Sequence, residues 1–456
     1  MRIAVWSNLC SGGAKRALYD HVNGLRARGH ELECWSPATA DTDYLPLQGL
    51  VPEHIVDFRW PFCRLNKRFP TQLYNYQKVF GLLWLMRDVY RRCAAQIEAG
   101  GFDMVYAHGC RWMAVPALGR LVSIPSVLYL AEPHRRFYEA DPCLPWVRRP
   151  RERGLSIRQR VRGWALRPSL RRLRTQGSRE WRNAQAFTRI LVNSHYSRET
   201  VIRVYGRDAR VCYLGVDTDR FRFQGGDREP FVLGLGALQP LKGVDFAIRS
   251  VAALPSPRPR LIWIGNLVSA AYLRELRRLA RELDVAFEPR IMIAEDELVA
   301  LLCRARLLLY TPRLEPFGYA VLEAGACGTP VVGVAEAGVR ETLKDGVNGF
   351  AVPREPAAAA GAMRRLLTDK RLARRIGKQA REYVENNWAL PASIERVERF
   401  LQGARGGEGA GGPSSVTSSK PLSTSAAGGD GQGRGRRSGR QSDRRSGEPD
   451  GQREST

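Results

Sequence analysis

The chain has 456 residues, of which 44% are hydrophobic, so it can build buried cores and is not wholly disordered. It carries 72 Lys and Arg against 46 Asp and Glu, and this net charge of +26 indicates anionic partners such as nucleic acid, anionic lipid or phosphorylated ligands. The apolar runs are too short for a transmembrane helix, and Met1–Trp6 is strand-like without a signal-peptide pattern, so we expect a cytoplasmic protein.

The first half of the chain alternates short apolar strands with helices, which predicts a mostly parallel sheet covered on both faces. A strand at Ile3–Trp6 leads into a glycine loop, Ser11-Gly12-Gly13, and then into a helix over Ala14–Arg28 with apolar residues at helical spacing. The further elements predicted here are strands at Glu31–Trp35, Met104–Ala107, Ser126–Leu130 and Ile190–Asn193, and a helix at Gln77–Glu98.

The same pattern restarts after a boundary predicted near Gly215–Gly226, which favours a second α/β unit over one very large sheet. A helix should begin at about Lys242, and helices should fill residues 355–402. From Gly403 onward the chain is rich in Gly, Ser and Arg and should be disordered. The strands predicted in this unit are Phe231–Gly236, Leu261–Ile264, Leu307–Tyr310, Pro330–Gly333 and Phe350–Val352.

A basic insertion at about 135–185 stands apart from both units. Residues 135–182 hold fifteen arginines and four acidic residues, with Trp146, Trp164 and Trp181 among them. One interpretation is a basic amphipathic helix at an anionic membrane surface, because Trp and Arg together suit such an interface. The other is a helical insertion with a solvated basic face. Nine cysteines without a C-x-x-C spacing are interpreted as reduced thiols.

The most informative stretch runs from Glu315 to Glu323 and reads EPFGYAVLE. Pro316 and Gly318 predict a loop after a strand, at the edge where α/β sheets bind ligands, and Tyr319 begins a helix. The free N–H groups at the start of that helix suit a diphosphate. Glu315 precedes the helix and Glu323 lies more than a turn inside it, so the two carboxylates can reach different hydroxyls of one ligand. Alternatively, each is an ordinary surface or capping residue.

The stretch continues as a longer pattern through AGACGTPVVG (324–333), EAGVRE (336–341) and DGVNGF (345–350). The whole closely resembles the donor domain of glycosyltransferase family 4, retaining enzymes with the two-lobed GT-B fold. The resemblance covers about residues 1–400. Its other matching segments are Gly12-Gly13, Val192–Ser194, Ser197–Glu199, Tyr213–Asp217 and Lys242–Asp245.

The resemblance implies an α/β GT-B fold in which two Rossmann-like lobes with parallel sheets face each other across a cleft. Residues 1–216 would form the acceptor lobe and carry the basic insertion, and residues 217–385 would form the nucleotide-sugar donor lobe. A helix over 386–402 would cross back to the first lobe, and 403–456 would be the disordered tail.

The resemblance also implies roles for the two glutamates. A nucleotide-diphosphate sugar would lie in the cleft, mainly on the second lobe. Glu323 would bind the ribose hydroxyls and Glu315 the sugar hydroxyls, with the backbone N–H groups of Phe317 and Gly318 near the sugar. Ionised carboxylates are suited to this because they accept hydrogen bonds from diols.

Lys242 would pair with the diphosphate and compensate the charge that grows on the leaving phosphate. Gly12 and Gly13 would let backbone N–H groups approach the same group from the first lobe. The sequence has no aspartate-rich metal motif, so we expect no metal or other cofactor. His108, at the end of a predicted strand, is a candidate for contacting the sugar or acceptor. Together with Glu315 and Lys242 it is a candidate catalytic residue, although a hydrogen-bonded cleft-edge or core histidine is the alternative.

Two positions depart from the family pattern. Where the family usually has an arginine that grips the diphosphate, this chain has Ala237. Losing a hydrogen bond to a charged group costs about 1.5–3 kcal/mol, which is about tenfold in affinity or more unless another cation substitutes. Many members also have a histidine near the sugar where Ala131 stands here, and His134 lies three residues later.

The sequence therefore predicts a retaining glycosyltransferase that moves a sugar from a nucleotide-diphosphate sugar to a glycan or lipid-linked acceptor, in cell-surface polysaccharide or glycolipid synthesis. The basic insertion extends this to peripheral binding at the inner face of the plasma membrane. One alternative is a catalytically weakened relative that binds nucleotide sugars or membranes. A nucleic-acid binder is disfavoured because the tail has no aromatic residue, and a dinucleotide oxidoreductase because Gln239 stands where a third glycine belongs.

Overall fold

The computed structural model describes residues 1–57, 71–138, 173–266 and 268–406, and for residues 71–83 and 136 it describes the backbone alone. The strands in these ranges form two sheets, and all their paired neighbours are parallel. The first sheet has the order β3-β2-β1-β4-β5-β6-β7 and the second β10-β9-β8-β11-β12-β13. The strands are β1 (Arg2–Asn8), β2 (Glu31–Pro37), β3 (Glu53–Val56), β4 (Met104–Cys110), β5 (Ser126–Tyr129), β6 (Arg189–Val192), β7 (Arg210–Val211), β8 (Glu229–Leu235), β9 (Leu261–Gly265), β10 (Phe287–Ile291), β11 (Ala305–Tyr310), β12 (Val331–Val334) and β13 (Gly349–Val352).

Helices connect most of the successive strands, so each sheet is the centre of one α/β lobe. The central strands β1 and β11 are buried along almost their whole length, as expected when helices cover both faces. The predicted fold class, two Rossmann-like lobes, is confirmed. The helices are α1 (Gly13–Ala27), α2 (Thr71–Ala99), α3 (described over 173–186), α4 (His195–Tyr205), α5 (Val244–Ala252), α6 (Ala270–Glu282), α7 (Glu295–Arg304), α8 (Tyr319–Ala326), α9 (Val339–Thr342), α10 (Pro356–Thr368), α11 (Lys370–Trp388) and α12 (Leu390–Arg405).

Several boundaries differ from the predictions. His108 lies inside β4, which continues to Cys110, rather than after the strand's end. A 3-10 turn over Pro240–Lys242 precedes α5, so Lys242 lies before that helix and not at its start. The last helix extends to Arg405, three residues into the segment predicted as tail.

The chain returns to the first lobe through α12. The backbone N–H of Val216 donates to the Trp388 carbonyl at 2.8 Å, and the N–H of Leu390 donates to the Val216 carbonyl at 3.0 Å. Beyond this junction, α12 packs on α1. The Glu398 carboxylate accepts from Arg28 Nε and contacts His30 Nε2, each at 2.7 Å. The C-terminal helix therefore packs on the first lobe, at α1 and at the turn that follows it.

Some sequence predictions lie outside the described residues. These are the tail from 407 onward, the central part of the basic insertion (139–172) with Trp146 and Trp164, and the thiols of Cys63 and Cys143. The seven other cysteines are free. Of the helices that are described, none combines the length and the apolar character needed to cross a membrane.

Candidate active site

A cavity of about 380 Å³ lies where the carboxyl ends of strands from both sheets meet. The first sheet contributes the segments that follow β1, β4, β5 and β6, and the second contributes those that follow β8 and β11. This is the edge at which open α/β sheets bind ligands. The predicted site residues that line it are Gly12, Gly13, His108, Lys242, Glu315, Phe317 and Gly318.

The glycine loop forms the first-lobe wall. Gly12 has φ of +135°, a conformation that favours glycine, and it begins α1. A Cβ on Gly13 would lie 3.5 Å from the ring of Tyr319 in the second lobe, so the two lobes are close here. The Tyr319 hydroxyl donates to the Gly215 carbonyl at 3.0 Å and to Asp20 Oδ2 at 3.3 Å. Gly12 and Gly13 both line the cavity, so the backbone of this loop lies next to it.

On the opposite wall, Lys242 and Glu315 form an ion pair. Lys242 Nζ donates to Glu315 Oε2 at 2.7 Å, and their side chains remain 28% and 17% exposed. The Thr311 hydroxyl donates to the Lys242 carbonyl at 2.9 Å, which holds the 3-10 turn against the end of β11. Both charged groups are therefore fixed in place while part of each remains open to the cavity.

Hydrogen bonds from α9 and from the residue before it hold the loop between Glu315 and α8 in place. Gly318 has φ of +97°, and a Cβ there would lie 3.0 Å from the Thr342 hydroxyl. That hydroxyl donates to the Phe317 carbonyl at 3.1 Å, and the Gly338 N–H donates to the Glu315 carbonyl at 2.9 Å. With these carbonyls bonded behind the loop, the start of α8 lies at the cavity wall, where its dipole favours an anion.

Glu323 is not among the residues that line the cavity. It is buried in α8, and its Oε1 lies 3.5 Å from Arg16 Nε of the first lobe. Burial raises the pKa of Glu323, while the charge of Arg16 lowers it and that of Glu295 raises it. Arg16 Nη2 also lies 2.6 Å from Glu295 Oε1, and Arg220 pairs with the same carboxylate. The sequence did not point to Arg16, although it follows the glycine loop by three residues.

His108 lines the cavity from the first lobe and is almost completely buried. Its ring lies against those of His21, Tyr106 and Tyr129, at centroid distances of 5.7, 4.9 and 5.4 Å. Its Nε2 has no hydrogen-bond partner among the described residues. Burial, with smaller contributions from the charges of His21 and Lys15, lowers the pKa of His108 well below its usual value. The ring is therefore neutral at pH 7 and can accept or donate one hydrogen bond at that atom.

Two lining residues that sequence reasoning passed over, Glu132 and Arg135, lie opposite Glu315. Arg135 Nε donates to Glu132 Oε2 at 2.9 Å, and its other nitrogens donate to the carbonyls of Arg313 and Leu314 at 2.9 and 3.1 Å. Arg135 therefore connects the first lobe to the loop that carries Glu315. Burial raises the pKa of Glu132, Arg135 lowers it, and Glu315 raises it.

The two departures from the family pattern fall in different places. Ala131 lines the cavity, whereas Ala237 and His134 do not. Arg111 and Arg135 line the first-lobe wall and, with Lys242, give the cavity three cationic residues. These two arginines belong to the first lobe, whereas Lys242 lies in the same lobe as Ala237.

The described residues contain no group of three or more His, Cys, Asp and Glu side chains placed to hold a metal ion. The cavity's own charged residues are three cations and the two carboxylates of Glu132 and Glu315. The expectation that no metal is needed stays a prediction.

Two family models match consecutive parts of the chain: the model described as Glycosyltransferase Family 4 matches residues 11–220, and the one described as Glycosyl transferases group 1 matches residues 216–383. A GDP-mannose-dependent alpha-(1-6)-phosphatidylinositol monomannoside mannosyltransferase of Mycolicibacterium smegmatis is 32% identical over 271 residues, which make up 53% of this chain and 68% of that protein. The chain belongs to glycosyltransferase family 4.

Other similar proteins cover less or are more distant. A D-inositol 3-phosphate glycosyltransferase of Streptomyces bingchenggensis is 30% identical over 248 residues, and the match spans 48% of this family 4 chain and 54% of the relative. HepE of Anabaena in complex with UDP-glucose has a TM-score of 0.65 at 20% identity, covering 88% of this chain and 99% of HepE. WaaG, a glycosyltransferase involved in lipopolysaccharide biosynthesis, has a TM-score of 0.58 at 17% identity, covering 88% and 100%. These structures confirm the predicted GT-B fold.

Proposed function

We propose that this chain is a retaining glycosyltransferase that moves a sugar from a nucleotide-diphosphate sugar to a glycan or lipid-linked acceptor. The observation that carries the proposal is the Lys242–Glu315 ion pair, at 2.7 Å, beside the start of α8 in a cavity lined by both lobes. A cation, a partly exposed carboxylate and a helix N-terminus are together suited to a diphosphate joined to a polyhydroxylated sugar.

In this proposal each charged group contributes at a different part of the donor. Glu315 accepts hydrogen bonds from sugar hydroxyls. Lys242 exchanges its ion pair with Glu315 for one with the diphosphate, whose negative charge increases as the glycosidic bond breaks. Glu323 accepts from the ribose hydroxyls, and the charge of Arg16 beside it opposes the rise that burial causes in its pKa. The departing phosphate takes up the proton of the acceptor hydroxyl, which attacks from the same face of the sugar and so retains the anomeric configuration.

The acceptor would bind at the first-lobe wall, near His108 and Glu132. Two relatives are named for acceptors that contain inositol and phosphate, phosphatidylinositol monomannoside and D-inositol 3-phosphate. Arg111 and Arg135 give this wall the positive charge that a phosphorylated acceptor requires. We therefore propose a polyol acceptor that carries a phosphate, either free or lipid-linked, in the synthesis of a glycolipid or cell-surface polysaccharide.

A binding experiment tests the donor proposal. Thermal unfolding should be measured with a panel of nucleotide sugars that includes GDP-mannose and UDP-glucose. At about 100 times the dissociation constant the true donor should stabilise the protein by about 2.7 kcal/mol. Lys242→Ala and Glu323→Ala should abolish most of this stabilisation, whereas Lys344→Ala and Glu355→Ala, at exposed positions of the same lobe, should retain it. Equal stabilisation of all four variants would refute the proposal.

Turnover and its stereochemistry require a second measurement. Slow hydrolysis of the donor, followed by NMR of the released sugar, should show the anomeric configuration of the donor in the first product formed. Binding without hydrolysis or transfer would instead favour the weakened relative, for which Ala237 and Ala131 are the specific reasons.

Peripheral membrane binding is the further part of this proposal. Two tryptophans of the first lobe, Trp84 on α2 and Trp181 on α3, are 63% and 49% exposed. Arg179 lies close enough to Arg87 and Arg182 for their charges to lower its pKa, after burial as the main cause. Exposed indoles beside clustered arginines suit an anionic interface.

Flotation with vesicles that contain phosphatidylglycerol tests this surface. Trp181→Ala and Arg182→Glu together should reduce the bound fraction severalfold. The paired substitutions Arg371→Glu and Arg375→Glu, on the exposed side of α11, add a larger charge change and should have less effect. An equal or greater loss for the α11 pair would show that only net charge matters.

A further inference from the structure

A second cavity, of about 580 Å³, lies in the second lobe and shares no lining residue with the first. Its walls come from the loop before β8, the start of β11, the turn after α8, and α11. Of the residues that line it, Asp227 is the one acid. The lining cations are Arg228, Arg306, Lys370, Arg374, Lys378 and Arg381.

Two of these arginines are structural. Arg228 Nη1 donates to the carbonyls of Leu302 and Ala305 and to the Thr329 hydroxyl, and its Nη2 donates to the Cys327 carbonyl at 2.8 Å. Arg381 Nη1 likewise donates to three backbone carbonyls, one of them that of Ala326, the last residue of α8. These bonds to neutral groups fix the cavity wall. Arg381 is also paired with Glu385, whose Oε1 lies 2.6 Å from Arg381 Nη2 and which does not line the cavity.

Arg306 is the buried cation of the site. It is 7% exposed, and it lies at a shift in register between β11 and β8, where Ala305 pairs with Glu229 but Leu307 pairs with Val232. Its Nη2 donates to the Arg228 carbonyl at 3.0 Å, and its Nε has no hydrogen-bond partner among the described residues. A buried guanidinium nitrogen without an acceptor is costly, and an anion in the cavity would remove that cost.

The charges of the lining act on one another. Burial is the main cause that lowers the pKa of Arg306, and the charge of Arg374 lowers it further, while Asp227 raises it. Burial likewise lowers the pKa of Arg228 to about 10, with Arg306 contributing. The cations therefore repel one another, and Asp227 compensates only part of this repulsion.

The mouth of the cavity is lined by exposed cations of α11. Arg374 pairs with Asp227 at 3.2 Å, but the two side chains are 75% and 94% exposed, so this surface pair is weak. Lys378 lies 3.8 Å from Glu382, and these side chains are 81% and 55% exposed. Both cations can therefore leave these partners for an anion that enters the cavity.

We propose that this cavity is a second ligand site, which binds a small molecule bearing a phosphate or diphosphate group. A guanidinium group next to lysines matches phosphate oxygens, and a volume of about 580 Å³ falls in the range of small-molecule pockets. The phosphate belongs either to a soluble phosphorylated compound or to the headgroup of an anionic lipid. A bound phosphate would lie near Gly328, in the turn that follows α8, the helix that contains Glu323.

Calorimetric titration of the full chain with inorganic pyrophosphate tests the site. Because the donor cleft also suits a diphosphate, the titration is performed on the wild type and on Lys242→Ala. In both backgrounds Arg374→Ala with Lys378→Ala should weaken the second binding event by about tenfold or more, since two contacts to a charged group are lost. The matched pair Arg371→Ala with Arg375→Ala, exposed on the same helix but outside the cavity, should change it less than twofold.

Vesicles containing phosphatidic acid distinguish the two sources of phosphate. The cavity pair is Arg374→Ala with Lys378→Ala. If this pair, and not the matched pair, loses affinity for pyrophosphate, the result supports a soluble ligand. If this pair, and not the matched pair, loses binding to the vesicles, the result supports a lipid headgroup. If the cavity pair and the matched pair bind pyrophosphate and vesicles equally, the proposal is wrong. Because each comparison is made within one background, the result does not depend on what Lys242 binds.

Discussion

The ionisation of Glu323 depends on one residue of the other lobe. Its carboxylate is buried, which raises its pKa, and Arg16, at 3.5 Å, is the cation that lowers it. A protonated carboxyl group accepts fewer hydrogen bonds from a diol than a carboxylate does. If Glu323 binds the ribose as proposed, Arg16 would favour the ionised form that accepts more hydrogen bonds, without contacting the nucleotide itself.

Arg16→Met should raise the pKa of Glu323 further, because burial and Glu295 remain while the compensating charge is lost. As the pH decreases, donor affinity should therefore begin to fall at a higher pH in this variant than in the wild type. A nucleotide sugar is the appropriate probe, since its diphosphate has no proton to lose near pH 7. Identical pH profiles for the variant and the wild type would contradict the assignment.

For individual site residues, whether the sequence predicts a contact depends on how far apart the two contacting residues are along the chain. Glu315, Phe317 and Gly318 lie within four residues, so the local pattern was enough to place them on one loop. Arg16 and Glu323 are separated by more than 300 positions, and their pairing depends on how the lobes meet. No periodicity or spacing encodes such a contact.

Helix packing explains a glycine in the last turn of α1. A Cβ on Gly24 would come within 2.5 Å of the Ile394 side chain of α12. Gly24→Ala should therefore destabilise the protein by about 1–3 kcal/mol, as overpacking does, although alanine favours helices. Adding Ile394→Ala should recover part of that loss. Gly361→Ala in α10, where a Cβ meets nothing within 4 Å, should instead stabilise by up to about 1 kcal/mol. Chemical unfolding measures all three, and a stabilising Gly24→Ala would refute the packing argument.

A buried carboxyl in α3 makes stability depend on pH. Glu180 is fully buried, and although Gln176, Tyr205 and the Ala114 N–H donate to it, burial raises its pKa to about 7. Below pH 4.5 it is protonated in both the folded and the unfolded state. Between pH 4.5 and about 7 the unfolded chain releases the proton and the folded chain keeps it, so this group lowers stability as the pH rises.

Glu180→Gln should remove this dependence. Relative to the wild type, the variant should gain about 3 kcal/mol between pH 4.5 and pH 8, which is the free energy equivalent of the pKa shift. Unfolding followed at several pH values measures the difference. A constant difference between the two proteins would show that Glu180 ionises normally in the fold.

The strands that the sequence missed, β3, β7 and β10, are edge strands, whereas the edge strand β13 was predicted. The missed strands are short or polar: β3 has four residues, β7 has two, and β10 contains Pro289 and two charged residues. Central parallel strands are buried on both faces and are therefore apolar runs, which made β1 and β11 easy to predict. Edge strands are under the opposite pressure, because polar residues and proline prevent pairing with other chains.

Polar contacts in two places connect the two lobes. Arg135, after β5, donates to the carbonyls of Arg313 and Leu314, after β11. The Glu341 carboxylate of α9 accepts the backbone N–H groups of His195 and Tyr196, at 3.0 and 3.1 Å. The second contact places an anion at the start of α4, whose first turn has no acidic residue of its own.

Glu341→Ala should loosen this arrangement while leaving the donor residues intact. The Tyr213 hydroxyl, which also donates to Glu341 at 2.9 Å, would lose its partner. The substitution would therefore affect both α4 and the segment between β7 and β8, which contains Tyr213. We expect a larger radius of gyration in X-ray scattering and transfer to the acceptor reduced by about tenfold, because closure must bring the two lobes' groups together. Donor-induced thermal stabilisation should remain, since Lys242 and Glu315 are both in the second lobe.

Glu382→Ala, at an exposed position of α11, is the control. Wild-type scattering together with wild-type transfer would show that Glu341 does not hold the lobes together. The arrangement of the lobes would then depend on Arg135 and on the ion pairs of Arg16 with Glu295 and Glu323.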